Sequence, residues 1–192
     1  MSVKKEQVEK HRIYYCTFTC YKWLHLFEIT KLYDHIYSWF DLMKKEYGNQ
    51  VLAYVVMPNH LHVMIFVNEN SKSINQLMGN GKRFMAYEIV KRLTEQKQEQ
   101  LLNELREGVD INELMKNKHH QVFEPSFDCK VCLNEKFIRQ KINYMHRNPL
   151  SGKWNLAETI IDYPHSSARF YETSEHSTYN VTSYYDAGVY ED

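Results

Sequence analysis

Apolar and polar positions alternate along this chain in two rhythms, one of period two and one of helical spacing. The stretch RIYYCTFTCYKW (12–23) is dense in β-branched and aromatic residues and predicts a first strand. TKLYDHIYSWFDLMKKEYG (30–48) places Leu32, Ile36, Trp39, Phe40 and Met43 at helical spacing, with Thr30 as the expected cap and Gly48 as the stop. NQVLAYVVM (49–57) and HLHVMIFV (60–67) predict two strands joined by Pro58 and Asn59 in a tight antiparallel hairpin. Residues 73–93 predict a helix with a weak middle at GNG. Residues 94–118 are polar, with Leu101, Leu102 and Leu105 at helical spacing, and are expected to form an added helical hairpin or a mobile insertion. A fourth strand region is expected at 121–133, broken by Pro125. NEKFIRQKINYMHRNP (134–149) predicts a helix that Asn134 caps and Pro149 ends.

The order strand, helix, strand, strand, helix, strand, helix contains the β-α-β-β-α-β pattern. It predicts an α+β fold with a ferredoxin-like antiparallel sheet, helices on one face and a late helix after the last strand. One domain over 1–171, followed by an acidic polar tail at 172–192, is the expected organisation. That architecture serves many functions, so the chemistry must be sought in particular residues.

Composition changes the picture only locally. Lys plus Arg and Asp plus Glu each number 24, so the chain is formally neutral. The charge is uneven, however: 134–153 carries five cations (Lys136, Arg139, Lys141, Arg147, Lys153) against Glu135. Residues 82–92 carry Lys82, Arg83, Lys91 and Arg92 against Glu88. After Arg169 only acids follow, five of them. A neutral protein can still hold a polyanion on one basic patch, although such runs are also common on solvated helix faces. No apolar run reaches the ~18 residues of a membrane span, and the charged start leads into no signal-peptide core. A cytoplasmic location with no membrane partner is the expectation. The four cysteines, Cys16, Cys20, Cys129 and Cys132, are then expected as free thiols. Cys129 and Cys132 have C-x-x-C spacing, but residues three apart on a strand face opposite ways, which disfavours a shared metal.

The pattern HLH at 60–62 is where chemistry enters. Side chains alternate along a strand, so His60 and His62 share one face while Leu61 takes the other. Two imidazoles on one face can bind a divalent ion if a further ligand arrives from another element. Spacing alone leaves this reading open beside that of two ordinary hydrogen-bonding histidines. The helix at 134–149 offers the partners: Tyr144 and Asn148 lie four apart on one face, and Gln140 continues the row. The Asn148 carbonyl is a hard oxygen ligand suited to Mg²⁺ or Mn²⁺. By itself, Tyr144 is one of fifteen tyrosines.

Taken together, YVVMPNHLHVMIFV and INYMHRNPLSGKW resemble the two signatures of the single-tyrosine HUH transposases. The Tyr-x-x-x-Asn-Pro form and DYPHSSARFY (162–171) look most like the REP-associated branch. The resemblance covers about 12–171, apart from 94–118. It implies that His60 and His62 are metal ligands, that Tyr144 is the nucleophile and that Asn148 completes the metal shell. It also implies Mg²⁺ or Mn²⁺ as cofactor, single-stranded DNA beside a hairpin as substrate, and a monomer or a homodimer. The expected reaction is cleavage and rejoining through a 5′-phosphotyrosine link, which stores the phosphodiester energy for rejoining. Arg139 and Lys141, and less strongly Lys82 and Arg83, are the expected DNA contacts; His146 should face away from Tyr144. Two other classes fit parts of the pattern. One is a non-catalytic module that binds single strands through exposed aromatics, and the other is a metal phosphodiesterase that uses water.

Overall fold

The computed structural model describes residues 9–152 and 154–187. Four strands, β1 (Arg12–Thr19), β2 (Gln50–Val56), β3 (His60–Val67) and β4 (Asp128–Val131), form one sheet in the order β2-β3-β1-β4. Every neighbouring pair is antiparallel, as the ferredoxin-like reading requires. The helices are α1 (Leu26–Ile29), α2 (Tyr33–Tyr47), α3 (Ile74–Glu95), α4 (Glu99–Glu107), α5 (Ile111–Leu114), α6 (Glu135–Arg147) and α7 (Ala168–Thr173).

Alternation along the strands builds two apolar layers. Leu61, Val63, Ile65 and Val67 of β3 join Tyr14, Cys16 and Phe18 of β1 on one face, under Trp39 and Phe40 of α2 and Met78, Met85 and Ile89 of α3. On the other face Met64 and Phe66 of β3 join Ile13 and Tyr15 of β1, covered by Ile138, Ile142 and Met145 of α6. The two helices of the β-α-β-β-α-β unit thus share a face, and the tyrosine helix lies on the opposite one, where Tyr171 of α7 and Tyr184 also pack. Strand β2 switches sides at a bulge between Val51 and Ala53, which puts Leu52 and Ala53 together on the α6 side.

Local details depart from expectation for identifiable reasons. Thr30 does not cap α2. Its hydroxyl donates to the Leu26 carbonyl at 2.6 Å and closes the short α1, so α2 starts later, at Tyr33. Gly48 does stop α2, in the left-handed region at φ 66°. The GNG stretch runs through α3 without a break, and Gly81 is required there because a Cβ would lie 2.5 Å from the Trp39 ring. The α2 and α3 helices close on each other at that point. Residues 94–118 are helical: α4 buries Leu102 and Leu105 against the α2–α3 layer. Asn134 caps α6 by accepting from the Phe137 amide at 2.9 Å.

The C-terminal segment seals the open edge of β2. Val56 donates its amide to His165, Ser167 donates to Tyr54, and Thr182 donates to Val51. The Tyr163 and Tyr171 hydroxyls donate to the carbonyls of Val56 and Leu52. Covering an edge in this way removes a template for unwanted strand pairing. Val181, Tyr184 and Ala187, within the stretch expected as a polar tail, are buried, and of its five acids Glu191 and Asp192 lie outside the described residues. The four cysteines are free thiols, with Cys129 in one apolar layer and Cys132 in the other.

Candidate active site

Pairing of β1 with β3 sets the site. Thr17 lies opposite His62 and Thr19 opposite His60, so the alternate residues of β1 share a face with the histidine pair. Both histidines are 5% exposed, and their ring centroids stand 4.9 Å apart, nearly perpendicular. Buried imidazoles require partners, and each Nδ1 has them. His60 Nδ1 donates to the Asn59 side-chain carbonyl at 2.7 Å, while the Asn59 amide donates to the Trp23 carbonyl at 2.7 Å. That fixes the His60 tautomer with its lone pair on Nε2. His62 Nδ1 lies 2.6 Å from the Thr17 hydroxyl and 2.8 Å from the Tyr15 hydroxyl. Burial first, then the nearby His60 and Lys141, pushes His62 down to about 3, so it is neutral. A neutral imidazole ligates a metal through Nε2 in the tautomer whose Nδ1–H donates, here to the Thr17 or Tyr15 hydroxyl.

Helix α6 brings Tyr144 to this pair. Its ring centroid is 5.7 Å from that of His62, edge to face, and the side chain is 55% exposed. Tyr15 is also beside His62, but it is buried, its hydroxyl is engaged, and burial pushes its ionisation far up. Of the two, Tyr144 is the tyrosine open to solvent. Lys141, one turn before it, holds its ammonium 5.7 Å from the Tyr144 ring centroid and 5.1 Å from that of Tyr15. His146 faces away, its Nε2 2.8 Å from the Ser167 hydroxyl, and burial pushes it down to about 3. Asn148 donates its amide to the Tyr144 carbonyl at 3.0 Å and anchors the end of α6.

The chain and its fold resemble known proteins. The family model for IS200-like transposases matches residues 9–106, just over half of the chain. The chain belongs to the IS200-like transposase family. A solved structure of a REP-associated tyrosine transposase bound to a REP hairpin shares the fold, at a TM-score of 0.55 and 19% identity over 87% of this chain and 82% of that one. A candidate transposase from Deinococcus radiodurans R1 aligns at a TM-score of 0.35 and 12% identity over 77% of this chain and 97% of that one, too distant to bear on the fold. No curated protein matches the chain.

The family match contains the histidine strand of this IS200-like chain and ends before α6, so Tyr144 stands near His62 on the geometry alone. His60, His62, Tyr144 and Lys141 come together, with Asn148 tied to the backbone of Tyr144. Arg139 is engaged elsewhere: it clasps Glu135, Tyr184 and Tyr185 and so holds the C-terminal segment on α6. Lys82 and Arg83 belong to α3, which covers the sheet face away from the histidines. They line a groove of about 560 Å³ with Tyr87, Lys116 and Lys118. The Lys82 ammonium donates to the Glu124 carbonyl at 2.7 Å, and burial with Lys118 nearby pushes it down to about 8. Among the described residues no helix is long and apolar enough to cross a membrane, and no three His, Cys, Asp or Glu side chains cluster as a metal site. Tyr15, Thr17 and Asn59 escaped the sequence reading. The period-two alternation of β1 puts the first two on one strand face, but only the β1–β3 register sets that face beside the histidines.

Proposed function

We propose that the chain cleaves and rejoins single-stranded DNA beside hairpins, with Tyr144 as nucleophile. The observation that carries this reading is the exposed Tyr144 hydroxyl-bearing ring 5.7 Å from the buried, Nδ1-anchored His62. The Tyr144 oxygen attacks phosphorus, the bond to the 3′ oxygen breaks, and a 5′-phosphotyrosine forms. The phenol proton passes to solvent and the leaving 3′ oxygen takes one up. Lys141 sets a positive charge beside the ring and offsets the charge of the phosphate. Reversal with a second 3′-hydroxyl rejoins the strand. The REP hairpin bound by the structural neighbour supports hairpin-flanked DNA as the substrate class.

The donor set fits a divalent ion such as Mg²⁺ or Mn²⁺. His60 presents Nε2, His62 is neutral, and both rings are fixed through Nδ1. Asn148 is the proposed oxygen ligand through its side-chain carbonyl, while its amide nitrogen donates to the Tyr144 carbonyl. When bound, the ion polarises a phosphate oxygen. The test is scission of labelled, hairpin-flanked single-stranded DNA with Mn²⁺, with EDTA, and with His60→Ala. The reading expects cleavage only in the first. Full cleavage in EDTA contradicts the metal role, and binding without scission in Mn²⁺ favours a non-catalytic single-strand module.

A further inference from the structure

Beside His60 the chain exposes a tryptophan that packing does not explain. Trp23 is 57% exposed, and its ring centroid lies 5.8 Å from that of His60. Its backbone is held at φ 60°, following Lys22 at φ 48°. Two successive left-handed residues without glycine are strained, and such strain persists only where the surroundings enforce it. The surroundings do so here. Asn59 donates its side-chain amide to the Trp23 carbonyl at 2.7 Å, the Lys22 amide donates to Glu124 at 2.8 Å, and the Tyr21 amide donates to the Val122 carbonyl at 2.8 Å. Asn59 therefore orients His60 with one end of its side chain and Trp23 with the other. Trp154 stands 5.8 Å from His60, and His25 stands 5.4 Å from Trp154. The Lys22 ammonium of this loop points to a carboxylate, donating to Glu104 at 3.1 Å. What the loop offers a ligand is therefore an aromatic face rather than a phosphate contact.

We propose that Trp23 is a stacking platform for an unpaired DNA base next to the phosphate held at the histidine pair. The proposal rests on the single-strand DNA reading above and adds the element that holds the strand. Base stacking on an aromatic side chain tolerates any sequence, because every base has a π-face. Trp23 is thus a binding residue for the flank, and sequence choice must come from elsewhere.

The test compares a twelve-nucleotide thymidine strand with an abasic strand of equal length and charge, both bound to the full chain carrying Tyr144→Phe. Trp23→Ala should weaken the thymidine strand about tenfold and leave the abasic strand unchanged, while Trp23→Phe keeps most of the affinity. The thymidine strand should also quench tryptophan emission more than the abasic strand does, and that difference should be lost in Trp23→Ala, which keeps Trp39 and, beside His60, Trp154. Equal weakening for both strands, or unchanged affinity and quench, overturns the proposal. Because Trp23 is exposed, an unchanged melting temperature should confirm that the variant is folded. Failure of the catalytic reading is separable when scission is read in the parent chain, which keeps Tyr144: quenching and base-dependent binding with no scission by that parent retain the platform and discard the nuclease. Scission that depends on His60, alongside Trp23→Ala binding like its parent, does the reverse.

Discussion

The two faces of strand β3 have unlike tasks, although one eight-residue strand makes both. Toward α2 and α3 it presents Leu61, Val63, Ile65 and Val67, all at 0% exposure in a dry layer. Toward α6 it presents Met64 and Phe66 at one end and His60 and His62 at the other. The first face is continuous core. The second is core for half its length and chemistry for the rest, and α6 spans both. Its Ile138, Ile142 and Met145 pack on the sheet while Tyr144 reaches the histidines. Burying imidazoles at a strand end is tolerable because Asn59, Thr17 and Tyr15 satisfy each Nδ1. The difference teaches that period-two alternation separates stability from reactivity within single residue steps.

Substitutions one residue apart should therefore have unlike consequences. The largest expected effect is that of His62→Ala, which should lower scission by about 10³-fold or more while the melting curve stays cooperative. Its neighbour Leu61→Ala should do the opposite, costing about 2–5 kcal/mol by denaturant titration while scission per folded molecule is retained. Parallel losses of stability and scission at both positions would erase the distinction.

A smaller effect sharpens the α6 side. His146 sits neutral against Ser167, pushed by burial down to about 3, below the ordinary histidine value of about 6.5. The unfolded chain takes its proton first, so this contribution is full above the ordinary value and is lost as the pH falls toward 3. Between pH 7 and pH 5 the parent should lose roughly 2 kcal/mol that His146→Gln does not lose, as read from urea midpoints. Identical acid limbs for the two proteins would remove His146 from the account.

Much of this contrast was legible in the sequence, and what was hidden has physical reasons. The strand rhythm of HLHVMIFV and the α6 row of Tyr144 and Asn148 depend on local periodicity, which is readable along the chain. Asn134 and Gly48 bound their helices as read, whereas Thr30 closes α1 because a short helix interposes before α2. The roles of Thr17 and Tyr15 depend on the β1–β3 register, a pairing across more than forty residues that no local pattern encodes. The doubled left-handed backbone at Lys22 and Trp23 is enforced by Glu124 and Asn59, again from far along the chain. Val181 and Tyr184 were hidden among the acids of the C-terminal stretch, and their partners are the exposed edge of β2 and the outer side of α6.

The central claim is that Tyr144, and not its buried neighbour Tyr15, is the nucleophile. Parent and Tyr144→Phe proteins should be incubated with labelled, hairpin-flanked single-stranded DNA and Mn²⁺, and the denatured products mapped by peptide. The account predicts a covalent protein–DNA band whose label maps to Tyr144 in the parent and no such band in Tyr144→Phe, with DNA binding intact in both. A band of undiminished yield in Tyr144→Phe would contradict it.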